Sequence, residues 1–193
     1  MRWANCEPLS IQRVYFANHS SHLDAAVMWA SLPATARALT SPVAGIDYWG
    51  RTTIRRYLAD RVFHAILINR PSTLRGGPAG DRRAAAEAVT KQLVAAIDAG
   101  RSLIVFPEGT RGSGDEVAPF KSGLYHLARA RPAVELVPAY LENLNRILPK
   151  GEVLPVPVLS SATFGPPIHL EPGEEKPAFL TRARQAVCDL KPS

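Results

Sequence analysis

The segment Asn18-His19-Ser20-Ser21-His22-Leu23-Asp24 carries the residue types of a general-base pair. An imidazole that meets a carboxylate through one nitrogen is held in one tautomer and is stabilised when protonated. Its other nitrogen can then take a proton from a hydroxyl. The five-residue offset across a tight loop lets Asp24, in the first turn of a helix, reach back to His19. Such a base contributes about 10²–10⁴-fold in rate. Spacing alone does not select this reading. A Ser or Asp at a helix start also caps it, and five His with seven Asp in 193 residues give about 0.2 such pairs by chance. His22 lies one turn from His19, but no third ligand accompanies them, so no metal site is expected.

A second segment narrows the choice. Val105-Phe106-Pro107-Glu108-Gly109-Thr110-Arg111 follows the apolar run that starts at Ser102, which places it at the carboxyl edge of a sheet. Open α/β sheets hold their ligands at that edge. Gly109 permits close backbone approach, Thr110 supplies a hydroxyl, and Arg111 offers a planar fork for phosphate. A plain strand-to-loop turn with a surface arginine has the same composition, yet its occurrence downstream of His19 and Asp24 is not a plausible coincidence.

The elements that must position these groups alternate strand and helix. Strands are predicted at Ile11 to Phe16, Ala36 to Leu39, Ala65 to Asn69, Ser102 to Phe106, Val134 to Leu141, Val153 to Val158 and Ser161 to Phe164. Helices are predicted over His22 to Ser31, Tyr48 to Phe63, Asp81 to Ala99, Lys121 to Arg129 and Pro177 to Leu190. In the second of these, Ile54, Tyr57, Leu58 and Val62 share a face, which is expected to be buried. A Pro/Gly-rich loop spans Pro71 to Gly80. With no repeat and no long linker, residues 1–193 are expected to form one α/β domain around a mostly parallel central sheet flanked by helices.

Composition removes several classes. The chain is 46% hydrophobic and 21% charged, which is ordinary globular usage and excludes disorder. Cys6 and Cys188, near opposite ends, exclude a disulfide framework or a zinc module and favour a reducing compartment. The net charge is +6, and 18 of the 23 basic residues are Arg, a balance that admits nucleic acid, an anionic membrane or a phosphorylated substrate. No apolar run approaches the roughly 18 residues of a membrane span, so a spanning segment is either lacking or outside the sequence.

Taken together, the blocks resemble those of the glycerolipid acyltransferase family typified by 1-acylglycerol-3-phosphate acyltransferases. The first block of that family is similar to residues 18–24 and the third to Phe106–Arg111. Leu67-Ile68-Asn69-Arg70 matches the second loosely, Val137-Pro138-Ala139 matches the fourth, and Phe120-Lys121-Ser122-Gly123 matches a motif that follows the third. The resemblance implies His19 as the base and Asp24 as the residue that orients it. It also implies Arg70, Arg111 and Lys121 as ligands of an acceptor phosphate, with Glu108, Gly109 and Thr110 shaping that pocket.

The same resemblance implies an O-acyltransferase with no cofactor, using acyl-CoA or acyl-carrier protein as donor. The acceptor would be a lysophospholipid, 1-acyl-sn-glycerol-3-phosphate, giving phosphatidate. Glycerol-3-phosphate, another lysolipid or an ornithine lipid are the alternative acceptors. A non-catalytic binder of anionic lipid or nucleic acid is the alternative class. Against it stands the positioned base, and basic residues interleaved with stacking aromatics are not evident, so nucleic acid is not expected. Relatives usually carry an apolar helical segment ahead of the first block. Here the expectation is peripheral contact with an anionic membrane on its cytoplasmic side, through Arg51, Arg55, Arg56 and Arg61 among Trp49, Ile54 and Leu58.

Overall fold

Strand-forming and helix-forming stretches assemble into an α/β sheet. The structure is a computed structural model that describes residues 1–21, 23–69, 79–112, 116–142 and 161–192. The strands are β1 (Arg2–Trp3), β2 (Arg13–Ala17), β3 (Thr40–Gly45), β4 (Ile66–Ile68), β5 (Ser102–Val105), β6 (Glu135–Glu142) and β7 (Ser161–Phe164). They pair in the order β1-β7-β6-β2-β5-β3-β4. The run from β6 to β4 is parallel, whereas β7 is antiparallel to β6 and β1 follows β7. The helices are α1 (Asp24–Ala30), α2 (Ala34–Leu39), α3 (Ile46–Trp49), α4 (Thr53–Tyr57), α5 (Ala79–Asp98), α6 (Gly123–Ala130) and α7 (Lys176–Cys188).

Both faces of the sheet are covered, as a parallel sheet requires. Every residue of β2 is buried because its β-branched and aromatic side chains find apolar cover on either side. Val14 and Phe16 join Leu93, Leu124, Leu127, Phe179 and Val187 beneath α5, α6 and α7. Tyr15 and Ala17, pointing the other way, join Met28, Leu32 and Ala36 beneath α1 and α2. Full burial of a side chain such as Phe179 contributes about 1.5–3 kcal/mol.

Three expectations need correction or a limit. Ala36 to Leu39 is helical rather than extended: Pro33 precedes the first turn and the Ala/Leu composition sustains it. The strand instead begins at Thr40 and runs through Pro42, which lies opposite Ile104 of β5; Pro and Gly concealed it in the sequence. The single helix expected over Tyr48 to Phe63 is broken into α3, α4 and a π-helical turn at Leu58–Val62. Gly50 ends α3 where an added Cβ would lie 2.7 Å from the Ile46 carbonyl oxygen, and Thr52 starts α4 by accepting the Arg55 N–H at 3.3 Å. Ile54 (74% exposed) and Tyr57 (62%) of the supposed buried face stand in solvent. The strand expected at Val153 to Val158 and most of the loop from Pro71 lie outside the described residues.

Candidate active site

The chain leaves β2 at the carboxyl edge of the sheet, and a buried amide fixes its exit. Asn18 Nδ2 donates to the Leu141 carbonyl at 2.9 Å, and the Leu141 N–H donates to Asn18 Oδ1 at 2.8 Å. This two-way clamp ties the first loop to β6. His19 follows, and its Nδ1 lies 2.8 Å from Asp24 Oδ2. The same oxygen accepts the N–H of Ser20 at 2.7 Å and of Ser21 at 2.9 Å. Asp24 is fully buried, so these donors replace the water that Oδ2 would otherwise bind, while Oδ1 has no partner among the described residues. A carboxylate oxygen only accepts, so Nδ1 carries the hydrogen and Nε2 keeps its lone pair.

The loop after β5 grips the same residue. Phe106 stacks on the His19 imidazole with ring centres 4.4 Å apart and planes 21° from parallel. Glu108 Oε1 accepts the His19 backbone N–H at 2.7 Å and Oε2 accepts the Ala118 N–H at 3.0 Å. The Gly112 N–H donates to the His19 carbonyl at 2.8 Å. Both main-chain polar groups of His19 are thus anchored by a segment about ninety residues downstream. Burial raises the Glu108 carboxyl above the ordinary glutamate range, opposed by its two amide bonds and by His19.

Gly109 turns with φ +69°, and an added Cβ would meet Lys121 Nζ at 2.6 Å. The bare Cα lets the Lys121 side chain lie across the turn. The Lys121 N–H donates to the Pro107 carbonyl at 2.9 Å, which sets where that side chain starts. His19, Phe106, Gly109 and Lys121 all line one cavity of about 1130 Å³, which extends between α5 and α6.

The expected site residues are therefore only partly gathered. His19, Asp24, Glu108, Gly109 and Lys121 come together. Glu108, expected to shape a phosphate pocket, spends both carboxylate oxygens on backbone amides and acts on His19 instead. Thr110 and Arg111 are exposed and are not among the residues lining the cavity. Arg70 and His22 lie outside the described residues. Pro138 is buried in β6, opposite Phe16 of β2. Sequence reasoning missed the Asn18 clamp and the Phe106 stack; the position of each beside a chemically loaded residue was the available signal.

Comparison with known proteins follows the same residues. Residues 7–142 match the family model described as Acyltransferase. A curated 1-acyl-sn-glycerol-3-phosphate acyltransferase of Limnanthes alba is 30% identical over 164 residues, which cover 82% of this chain and 50% of that protein. One of Cocos nucifera is 24% identical over 185 residues, or 91% of this chain and 54% of that protein. The chain spans about half the length of these curated relatives. The crystal structure of the 1-acyl-sn-glycerophosphate (LPA) acyltransferase PlsC from Thermotoga maritima shares the fold. Its TM-score is 0.70 at 16% identity, covering 98% of this chain and 70% of that one.

Proposed function

The chain belongs to the acyltransferase family, and from that premise we propose that it is an O-acyltransferase. The donor is a fatty acyl thioester of coenzyme A or of an acyl-carrier protein. The acceptor is the free hydroxyl of a lysophospholipid, 1-acyl-sn-glycerol-3-phosphate, and the product is phosphatidate. Nε2 of His19 removes the hydroxyl proton as the oxygen attacks the thioester carbonyl carbon. The new C–O bond forms and the carbonyl electrons move to oxygen. On collapse the C–S bond breaks, and the departing thiolate takes the proton held on His19. Asp24 holds Nδ1–H and stabilises the imidazolium between the two transfers. Lys121, with Arg111 and Arg70, neutralises the acceptor phosphate.

One observation carries this reading: a carboxylate-held imidazole shares a large cavity with a lysine side chain. The test is transfer of labelled acyl chains from acyl-CoA or acyl-carrier protein to a panel of lysolipids and glycerol-3-phosphate. Lysophosphatidate should be the preferred acceptor, and His19→Ala should lower turnover by about 10²–10⁴-fold without loss of fold. Wild-type turnover in that variant would overturn the mechanism.

The acceptor resides in a membrane, and withdrawing its acyl chain costs about 0.8 kcal/mol per methylene. No helix among the described residues is long and apolar enough to cross a bilayer. Contact with an anionic bilayer through α3, α4 and the π turn is supported by Ile46, Ile54, Tyr57 and Val62, which are exposed amid Arg51, Arg55, Arg56 and Arg61. Basic residues at such a surface contribute about 1 kcal/mol each.

A further inference from the structure

The cavity has a second end that the proposed acceptor chemistry leaves unused. Beyond His19 its lining includes the apolar side chains Val89, Leu93, Leu124 and Leu127 and residues of α5, α6 and the start of α7. From Gly123 to Arg129, α6 carries this wall about 9 Å along its axis. Three cations also line the cavity, one from each helix: Arg129 at the end of α6 away from Lys121, Lys176 at the start of α7, and Lys91 in the middle of α5. None of the three has an ion-pair partner among the described residues. Glu87, the one carboxylate lining the cavity among the described residues, is taken by Arg83 at 3.0 Å. His126 lines the cavity as well, and burial together with Lys176 and Arg129 pushes its imidazole toward the neutral form.

Three cations from separate helices, lining one cavity without ion-pair partners among the described residues, invite a polyanion. In a glycerol phosphate only a few bonds separate the reacting hydroxyl from the phosphate, so that phosphate belongs beside Lys121. A coenzyme A thioester carries its phosphates at the end of a long pantetheine arm, which must cross a stretch of cavity before any charge is met. We propose that Lys91, Arg129 and Lys176 bind the nucleotide phosphates of a coenzyme A donor, with the pantetheine arm lying between α5 and α6 and the thioester presented to His19. This deepens the acyltransferase reading and rests on it.

The test uses the full chain. Calorimetric titration with coenzyme A and with 3′,5′-ADP reads the site without turnover, and steady-state kinetics read the donor and acceptor KM separately. The Lys91→Ala/Arg129→Ala/Lys176→Ala variant should weaken coenzyme A binding and raise the acyl-CoA KM by about tenfold, with kcat and acceptor KM unchanged. The charge-neutral variant Arg83→Ala/Glu87→Ala, which removes both members of an ion pair on the same cavity, should do neither. In the wild type, 3′,5′-ADP should compete with acyl-CoA and not with acceptor. Unchanged coenzyme A affinity and donor KM in a folded triple variant would overturn the proposal. So would turnover that accepts acyl-carrier protein and is blind to coenzyme A and 3′,5′-ADP. Wild-type protein that binds coenzyme A through these residues but transfers no acyl group would instead sink the acyltransferase reading and leave the nucleotide site standing.

Discussion

The segments that follow β2 and β3 leave the same edge of the sheet and treat water in opposite ways. After β2, polar groups are withdrawn from solvent: Asn18 and Asp24, with Glu108 from the neighbouring β5, are buried and hydrogen-bonded. After β3, apolar groups are handed to solvent at Ile46, Ile54 and Tyr57. A buried polar group is tolerated only where donors and acceptors are in place, and the first region supplies them for all but Asp24 Oδ1, which has no partner among the described residues. Apolar groups exposed amid arginines bury little within the fold, and the proposed bilayer contact is what would cover them.

Substitutions that exchange the two behaviours sharpen this contrast. The largest effect belongs to His19→Ala, whose loss of turnover should come with the fold retained and a modestly lowered melting temperature, because the buried Asp24 carboxylate loses one of its donors. Next stands Glu108→Gln. One oxygen of an amide can accept, but its NH₂ must face either the His19 or the Ala118 N–H, at a cost of about 1–3 kcal/mol in stability. Turnover should fall as well, because the His19 backbone loses its anchor. Wild-type stability should also carry a pH dependence that this variant lacks. Because the folded-state pKa of Glu108 is raised, its contribution is fully present below the ordinary glutamate range and shrinks as pH rises through the raised value. Denaturant melts of both proteins across that range check the sign.

Gly109→Ala ranks third. The positive φ costs roughly 1–2 kcal/mol for an L side chain, and the methyl displaces Lys121, so the acceptor KM should rise while kcat holds. Smallest in stability is Ile54→Ser with Tyr57→Ser, within about 0.5 kcal/mol because neither side chain is buried. That pair should nevertheless reduce sedimentation with anionic vesicles at low salt. Wild-type sedimentation by the double variant, or binding by wild type that salt does not weaken, would break the contrast.

Legibility in the sequence followed the range of the interaction. The strands at Arg13–Ala17 and Ser102–Val105 and the helix at Ala79–Asp98 announce themselves through their own composition. The His19 and Asp24 pair was legible because five residues of loop bring the two together. What stayed hidden depends on partners far along the chain. Nothing local says that Asn18 meets Leu141, or that Glu108 holds the backbone of His19 instead of facing a ligand. Apolar periodicity over Tyr48 to Phe63 was real but misassigned, since a period reports that a face exists and not what covers it. Ala36–Leu39 failed because Ala and Leu serve helix as readily as a buried strand.

The grip of the β5 loop on His19 has a consequence for the life of the molecule. While a nascent chain emerges, the base and its aspartate exist long before Glu108 and Gly112 arrive to hold them. The reactive geometry therefore switches on only when the middle of the sheet has closed.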